Sequence, residues 1–240
     1  MRTNMGIRGP KCFTATHTPS AIIGTIDVNN PFVTVFEDTT MNHNKILFTV
    51  RNLSITETFT VTIHTDSDDP DPIIVPPNPD EPAALDSNET SVQVENARLI
   101  TISSTHNTDD QPNFQFSVTK TFCICCQGRQ CSIDTHTFNN TIGVPAGSSR
   151  TVFQDLTTNH NKTIVRLSIT QVEGAVLSNA GITATFRTDL VTENRTIFNF
   201  QPLIIQWEDL REITLTPLAD PGGSFNVAVE YQKTFCICCP

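Results

Sequence analysis

The sequence has 240 residues, a formal net charge of −10 and only 17% charged residues. This length allows one large domain or two domains of about 100–120 residues each. The acidic balance, without any basic cluster, argues against a nucleic-acid partner. Phe, with 15 residues, far outnumbers the other aromatics, and Thr is abundant, a composition that favours β-sheet over helix.

The N-terminal segment reads MRTNMGIRGPKC and has no apolar core, so it is not a Sec signal peptide as written. No stretch approaches the roughly 18 apolar residues needed to span a bilayer, and we expect no membrane insertion. The eight cysteines nevertheless indicate an oxidising destination or a metal. Three routes fit these facts: a cytosolic metal protein, a chain whose signal was removed, or a protein made inside a cell and exposed when that cell lyses.

One motif, Lys-Thr-Phe-Cys-Ile-Cys-Cys, occurs twice, at residues 120–126 and 233–239. Other landmarks recur in the same order, so the sequence predicts an internal duplication. These paired landmarks are Cys12 with Cys131, Val-Phe-Glu-Asp at 35–38 with Val-Phe-Gln-Asp at 152–155, Asn-His-Asn-Lys at 42–45 and 159–162, and Leu-Ser-Ile-Thr at 53–56 and 167–170. The predicted organisation is a flexible N-terminal connector at 1–11, repeats at 12–126 and 131–240, and a linker at 127–130.

Within each repeat, apolar and polar residues alternate, which is typical of half-buried strands. The clearest runs are Phe59/Val61/Ile63, Phe114/Phe116/Val118, Ile182/Ala184/Phe186 and Phe225/Val227/Val229. The predicted fold is therefore all-β, with two tandem antiparallel β-sandwich domains that are either jelly-roll or immunoglobulin-like. Residues 66–90 are rich in Pro and Asp, which predicts an exposed loop and no central strand.

Six cysteines lie in the two motif copies, and strand geometry constrains their pairing. Cys123 and Cys125 face one side of a strand while Cys126 faces the other, so each cluster needs partners elsewhere. The nearest partner for Cys126 is Cys131, which is separated from it by the four residues of the linker. All eight are candidates for inter-domain or inter-subunit disulfides: Cys12, Cys123, Cys125, Cys126, Cys131, Cys236, Cys238 and Cys239.

The two ends of the chain carry incomplete cysteine sets. Cys12 has no cluster before it, and the cluster from Cys236 to Cys239 has no cysteine after it. The C-terminus of one subunit could complete the N-terminus of the next. A head-to-tail contact of this kind without a closing rotation produces an open filament, and the sequence favours such a homopolymer, cross-linked by disulfides.

Two other interpretations of the cysteines stay open. In one, each repeat closes its own termini, Cys12 with the first cluster and Cys131 with the second. In the other, Cys131 with His136, and equally Cys12 with His17, are soft metal ligands for zinc or copper. The spacing of these residues departs from the usual zinc pattern, so no metal or other cofactor is expected.

No arrangement of catalytic residues stands out, and we expect no enzyme activity. His43 and His160 lie in the repeated Asn-His-Asn-Lys, which is interpreted as a tight turn before a strand. Trp207 aligns with Val94 and is predicted to lie in the core.

These features resemble the bacterial endospore appendage and exosporium proteins, in the absence of a signal peptide, in Thr-rich jelly-roll domains, in a flexible Cys-bearing N-terminal segment and in cysteines on terminal strands. The resemblance implies that residues 1–11 reach a neighbouring subunit, with Cys12 as the donor thiol and Cys236, Cys238 and Cys239 as acceptors. It favours a self-assembling, non-enzymatic fibre subunit, extracellular or on a spore surface. The main alternative is a binding or adhesion module that uses the Pro-rich loop as its contact surface.

Overall fold

The computed structural model describes residues 11–26, 31–40, 43–77, 89–104, 113–126, 131–157, 159–173, 180–199, 201–218 and 224–238. Across these ranges the chain forms seventeen β-strands and no helix, which confirms the all-β prediction. In these same ranges, no helix is long and apolar enough to cross a membrane. The N-terminal connector, apart from Lys11, and the linker at 127–130 lie outside the described residues.

Nine of the strands in the described ranges belong to the N-terminal half. They are β1 (Lys11–His17), β2 (Ile22–Thr25), β3 (Phe32–Asp38), β4 (Asn44–Asn52), β5 (Phe59–Thr65), β6 (Ile73–Val75), β7 (Glu89–Glu95), β8 (Ala97–Ser104) and β9 (Asn113–Cys126). The described part of the C-terminal half has eight. They are β10 (Cys131–Val144), β11 (Arg150–Gln154), β12 (Asn161–Glu173), β13 (Gly181–Thr188), β14 (Thr192–Phe198), β15 (Leu203–Glu208), β16 (Leu210–Pro217) and β17 (Ser224–Cys238).

Both halves follow the same strand order. In the N-terminal half, β1-β9-β4-β7 form one layer, with β2 also on β9, and β3-β8-β5-β6 form the other. The C-terminal half repeats this as β10-β17-β12-β15 and β11-β16-β13-β14. The first strand of each half pairs with its last, whereas an immunoglobulin domain pairs its first two strands in one sheet. The topology is therefore that of a jelly roll, and the immunoglobulin-like alternative is wrong.

Alternation along the strands builds a separate core in each half. The runs Phe59/Val61/Ile63, Phe114/Phe116/Val118, Ile182/Ala184/Phe186 and Phe225/Val227/Val229 are all buried, as predicted. Trp207 is also in the core of the C-terminal half, against Phe186. Each large apolar side chain that is fully buried contributes about 1.5–3 kcal/mol relative to its exposed state.

The two halves share one sheet. β15 of the C-terminal half pairs in parallel with β3 of the N-terminal half, with Ile204 opposite Phe36 and Gln206 opposite Asp38. This pairing produces a continuous eight-stranded sheet, β10-β17-β12-β15-β3-β8-β5-β6. Ile204 and Ile164 of the C-terminal half also belong to the N-terminal core, so the halves are packed together as well as hydrogen-bonded.

The Pro-rich segment at 66–90 is more ordered than predicted. Residues 73–75 form β6, which pairs with β5 at the edge of the shared sheet, and residues 89 and 90 open β7. Pro72 and Pro76 flank β6. Their presence fits an edge strand, which tolerates neighbouring prolines that a central strand would not. The expectation of a loop across the whole segment is therefore wrong at both of these places. Residues 78–88 lie outside the described part of the chain.

Candidate functional site

The first copy of the motif forms the end of β9, where its side chains alternate between two environments. Cys123 and Cys125 are exposed, whereas Ile124 and Cys126 are buried. This arrangement confirms the strand parity predicted for the cluster. Cysteines on the two faces of β9 therefore meet different partners.

On the exposed face, Cys125 forms a disulfide with Cys12, with an S–S distance of 2.01 Å. The two residues are directly opposite in the antiparallel pairing of β1 with β9, and their Cα atoms are 3.9 Å apart. The bond closes the N-terminal half on itself. It contradicts the hypothesis that Cys12 is held for a neighbouring subunit and agrees, for this half, with the alternative in which a repeat closes its own termini.

On the buried face, Cys126 forms a disulfide with Cys236, the first cysteine of the second motif copy. Both residues are buried, in a small apolar cluster with Phe122 and Ile124. The bond joins the two halves and is an inter-domain disulfide. The expected link from Cys126 to Cys131 is wrong, because Cys126 faces β17 while the pairing of β10 with β17 places Cys131 opposite Cys238.

The other cysteines are only partly described. The backbones of Cys131 and Cys238 are directly opposite each other, in places equivalent to those of Cys12 and Cys125. Their side chains, and the whole of Cys239, lie outside what the structure describes. The predictions that concern these three thiols stay predictions.

The metal hypothesis fails for Cys12 and His17. Cys12 is in a disulfide on the exposed face, whereas His17 is buried and its Nε2 lies 2.9 Å from Oγ1 of Thr234. His136, the equivalent of His17, is exposed and packs its ring edge on Phe235. In the described ranges, no three His, Cys, Asp or Glu side chains are grouped as a metal site would need.

A row of polar bonds crosses between the halves beside the buried disulfide. The last residue of β1 and the three residues after it, 17–20, bind alternate side chains on one face of β17. Thr18 exchanges two hydrogen bonds of 2.8 Å with the side chain of Gln232, and the backbone N–H of Ser20 donates to Glu230 at 3.1 Å. These bonds, the Cys126–Cys236 disulfide and the β3–β15 pairing together are called the junction below.

The position of His17 in the junction has an electrostatic consequence. Burial removes its imidazolium from water and the nearby Lys120 ammonium repels it, so that its pKa is lowered to about 3. His17 is therefore neutral when the junction is formed. An uncharged imidazole is the form that can share one hydrogen bond with Thr234 inside the protein.

A buried ionic centre surrounds Asp38 at the end of β3 and includes Lys120, the first residue of the first motif copy. Its Oδ1 accepts hydrogen bonds from the backbone and hydroxyl of Thr40, at 2.9 and 2.7 Å. Its Oδ2 accepts from Nζ of Lys120 at 2.6 Å and from Nδ2 of Asn44 at 2.8 Å. Burial lowers the pKa of Lys120 to about 8, although the carboxylate of Asp38 acts in the opposite direction.

The C-terminal half has an equivalent centre around Asp155. Nζ of Lys233 contacts Oδ2 of Asp155, and Nη1 of Arg211 lies 3.0 Å from the same oxygen. Arg211 also holds Asp189 through two hydrogen bonds of 2.6 and 2.5 Å. Sequence reasoning missed both centres, because charged residues are normally exposed. The available signal was that Lys opens both motif copies and that Asp ends both Val-Phe-x-Asp landmarks.

The tight turn predicted for the second Asn-His-Asn-Lys segment is not seen in residues 159–162, because His160 directly precedes β12, which already begins at Asn161. Nδ1 of His160 lies 3.0 Å from Oδ1 of Asp209, which has a positive φ of 51° between β15 and β16. This hydrogen bond raises the pKa of His160 against the opposite effect of partial burial. In the N-terminal half the corresponding positive φ, 54°, belongs to Asn96, which accepts a hydrogen bond from the backbone of Asn44.

No protein-family model matches the chain, and no curated protein matches it. Among solved structures, the chain is similar to one from Sulfolobus Turreted Icosahedral Virus, with 13% identity over 96% of this chain and 61% of that one, at a TM-score of 0.32. It is similar to the vicilin from Solanum melongena, with 7% identity over 84% and 70% of the chains, at a TM-score of 0.25. It is also similar to PNGase F, a glycosylasparaginase from Flavobacterium meningosepticum, with 10% identity over 93% and 96%, at a TM-score of 0.24. Similarity this low assigns neither a function nor a family.

Proposed function

We propose that this chain is a non-enzymatic structural subunit that joins head to tail with further copies of itself outside the cell or on a spore surface. Its two jelly rolls are held as one unit by a shared sheet and by a buried disulfide. Disulfides form and persist in oxidising surroundings, which supports a location outside the reducing cytosol.

The bond between Cys126 and Cys236 is the observation that carries the proposal. It connects the last cysteine of one motif copy to the first cysteine of the next. The two copies are separated by a constant 113 residues, so the same connection between two chains would join Cys239 of one copy to Cys123 of the next. Cys123 is exposed at the end of β9. This pair replaces Cys12 as the expected inter-subunit link.

The geometry of the junction supports a head-to-tail assembly. It brings together unlike parts of the two halves, β3 of one and β15 of the other. The strands equivalent to these, β11 and β7, are the outer strands of their sheets in the described structure. A contact between unlike surfaces continues into a filament or closes as a ring, whereas a two-fold contact ends at a dimer.

We also infer that the halves arose by duplication. The shared strand order, the motif at a constant offset and the two equivalent ionic centres support this inference. In that case, the contact between the two halves would descend from a contact between separate copies of a single-domain ancestor.

The test is non-reducing electrophoresis of the full chain after oxidation with a low-molecular-weight disulfide. We expect a ladder of covalent multimers that collapses to monomer on reduction. Cys123→Ser should remove the ladder because it deletes one half of the inter-chain pair.

The matched control is the double variant Cys12→Ser/Cys125→Ser, which removes an exposed disulfide of the same β-strand and should keep the ladder. A single monomer band from the oxidised wild type would contradict the assembly proposal and favour the binding-module alternative.

A further inference from the structure

The ionic centre of the N-terminal half brings an amine and an amide nitrogen within hydrogen-bond distance of one carboxylate oxygen, and Nη1 of Arg98 lies 3.6 Å from the same oxygen. Oδ2 of Asp38 accepts from the amine Nζ of Lys120 at 2.6 Å and from the amide Nδ2 of Asn44 at 2.8 Å. Asn44 and Lys120 lie on the neighbouring strands β4 and β9, where Asn44 is opposite Phe122 and therefore diagonal to Lys120. The amine and the carboxamide are thus held side by side around a single acid.

All three groups are removed from water. The side chains of Lys120 and Asp38 are fully buried, and Asn44 is 1% exposed. The ring of Phe122 lies over the amine, 5.9 Å from Nζ. In such surroundings an ion pair loses much of its advantage over the neutral pair of amine and carboxylic acid. The lowered pKa of Lys120, caused first by burial, agrees with an accessible neutral amine.

We propose that Lys120 and Asn44 join in an intramolecular isopeptide bond, with Asp38 as the proton carrier. Nζ transfers a proton to Oδ2 of Asp38 and then attacks Cγ of Asn44 as a neutral amine. Asp38 then delivers that proton to Nδ2, the bond from Cγ to Nδ2 breaks, and one ammonia molecule leaves. Asp38 accepts the second proton, which Nζ loses as the amide forms. The product is a secondary amide between β4 and β9, formed without any oxidant or cofactor.

Fixed positions compensate for the low reactivity of a carboxamide. Holding two reactants together in one site corresponds to an effective concentration of about 10⁵ M or more in well-oriented cases. General acid–base assistance by a positioned carboxyl group adds about 10²–10⁴-fold. A reaction that happens once per chain during folding can also be slow by the standard of an enzyme.

The C-terminal half serves as a natural control, because its asparagine is oriented differently. The amide Nδ2 of Asn161, the equivalent of Asn44, donates to the backbone oxygen of Asn159 at 3.3 Å. Its Oδ1 accepts a hydrogen bond from Thr163 at 3.0 Å, and the residue equivalent to Thr163 in the N-terminal half is Ile46. The cations around the acid are equivalent in the two halves, since Asp155 binds Lys233 and Arg211 while Asp38 binds Lys120 and lies 3.6 Å from Arg98. The orientation of the asparagine is therefore what differs. We therefore expect one isopeptide bond per chain, in the N-terminal half only.

Mass spectrometry of the reduced, denatured full chain tests the proposal. We expect a mass below that of the sequence by one ammonia molecule, about 17 Da. Tryptic digestion should give a branched peptide in which Lys120 resists cleavage and is attached to the peptide that carries Asn44. An unmodified wild-type mass, with cleavage at Lys120, would overturn the proposal.

Three variants locate the reaction. Asn44→Ala and Asp38→Ala should each restore the full mass, while Asn161→Ala should keep the deficit. A deficit that survives Asn44→Ala would equally overturn the proposal. The wild-type measurement decides the question even if a variant fails to fold, and the result is independent of whether copies of the chain assemble.

Discussion

The strands that join the two halves differ sharply from the equivalent strands at the outer edges of the molecule. Ile204 of β15 is fully buried in the junction, whereas its equivalent in β7, Ser91, is exposed. Val33 of β3 is buried, and its equivalent in β11, Arg150, is exposed. The same topology therefore carries an apolar surface where the halves meet and a polar one where they end.

This difference indicates how copies of the chain would meet. Polar and charged residues on outer strands prevent uncontrolled edge-to-edge pairing. A contact between copies through β7 and β11 would therefore be weaker than the internal one, and the covalent link between cysteines would have to supply more of its stability. The multimers should come apart on reduction while each monomer stays folded.

The largest expected effect on stability comes from Ile204→Ala. Removal of this side chain from the N-terminal core should lower the free energy of unfolding by about 3–4 kcal/mol, from lost burial and the remaining cavity. The matched variant is Ser91→Ala, at the equivalent exposed position. This substitution should change the free energy of unfolding by less than about 0.5 kcal/mol. Urea unfolding of the oxidised monomer measures both, and equal effects would remove the distinction between the inner and outer strands.

A second, smaller difference lies between His17 in the junction and its exposed equivalent, His136, in how each affects the pH dependence of stability. The unfolded chain binds a proton on His17 near pH 6.5, while the folded chain does so only at about 3. The folded state is therefore increasingly disfavoured as the pH falls through that window. Between pH 7 and about pH 4.5, His17 should account for a loss of about 2–3 kcal/mol in the free energy of unfolding.

Urea unfolding at a series of pH values checks this prediction. His17→Gln should flatten the pH profile over that range, while His136→Gln, the exposed equivalent, should leave it unchanged. A profile that is insensitive to His17→Gln would show that the junction tolerates a charged imidazole.

Local pattern was sufficient to predict strands and the faces of their side chains. The alternation of Phe114, Phe116 and Val118 correctly indicated β9, and parity along that strand correctly separated Cys125 from Cys126. The jelly-roll order could not be predicted, because it depends on which distant strands pair. The partner of Cys126 was missed for the same reason, since only the packing of β9 on β17 brings Cys236 to it.

The buried ionic centres were also beyond local pattern. Lys120 occupies an apolar position in the alternation of β9, and its burial depends on Asp38, which is 82 residues away in the sequence. Nothing in the neighbourhood of either residue indicates the other. The repetition of both residues in the second half was a signal in the sequence. Only the three-dimensional arrangement of the sheets shows that these residues pair with each other.

Disulfide mapping of the covalent multimers tests the central claim most directly. The account predicts a peptide pair that links Cys123 of one chain to Cys239 of another, together with the internal pairs Cys12–Cys125 and Cys126–Cys236. Multimers linked through Cys12, or an oxidised protein in which Cys126 is not bonded to Cys236, would contradict it.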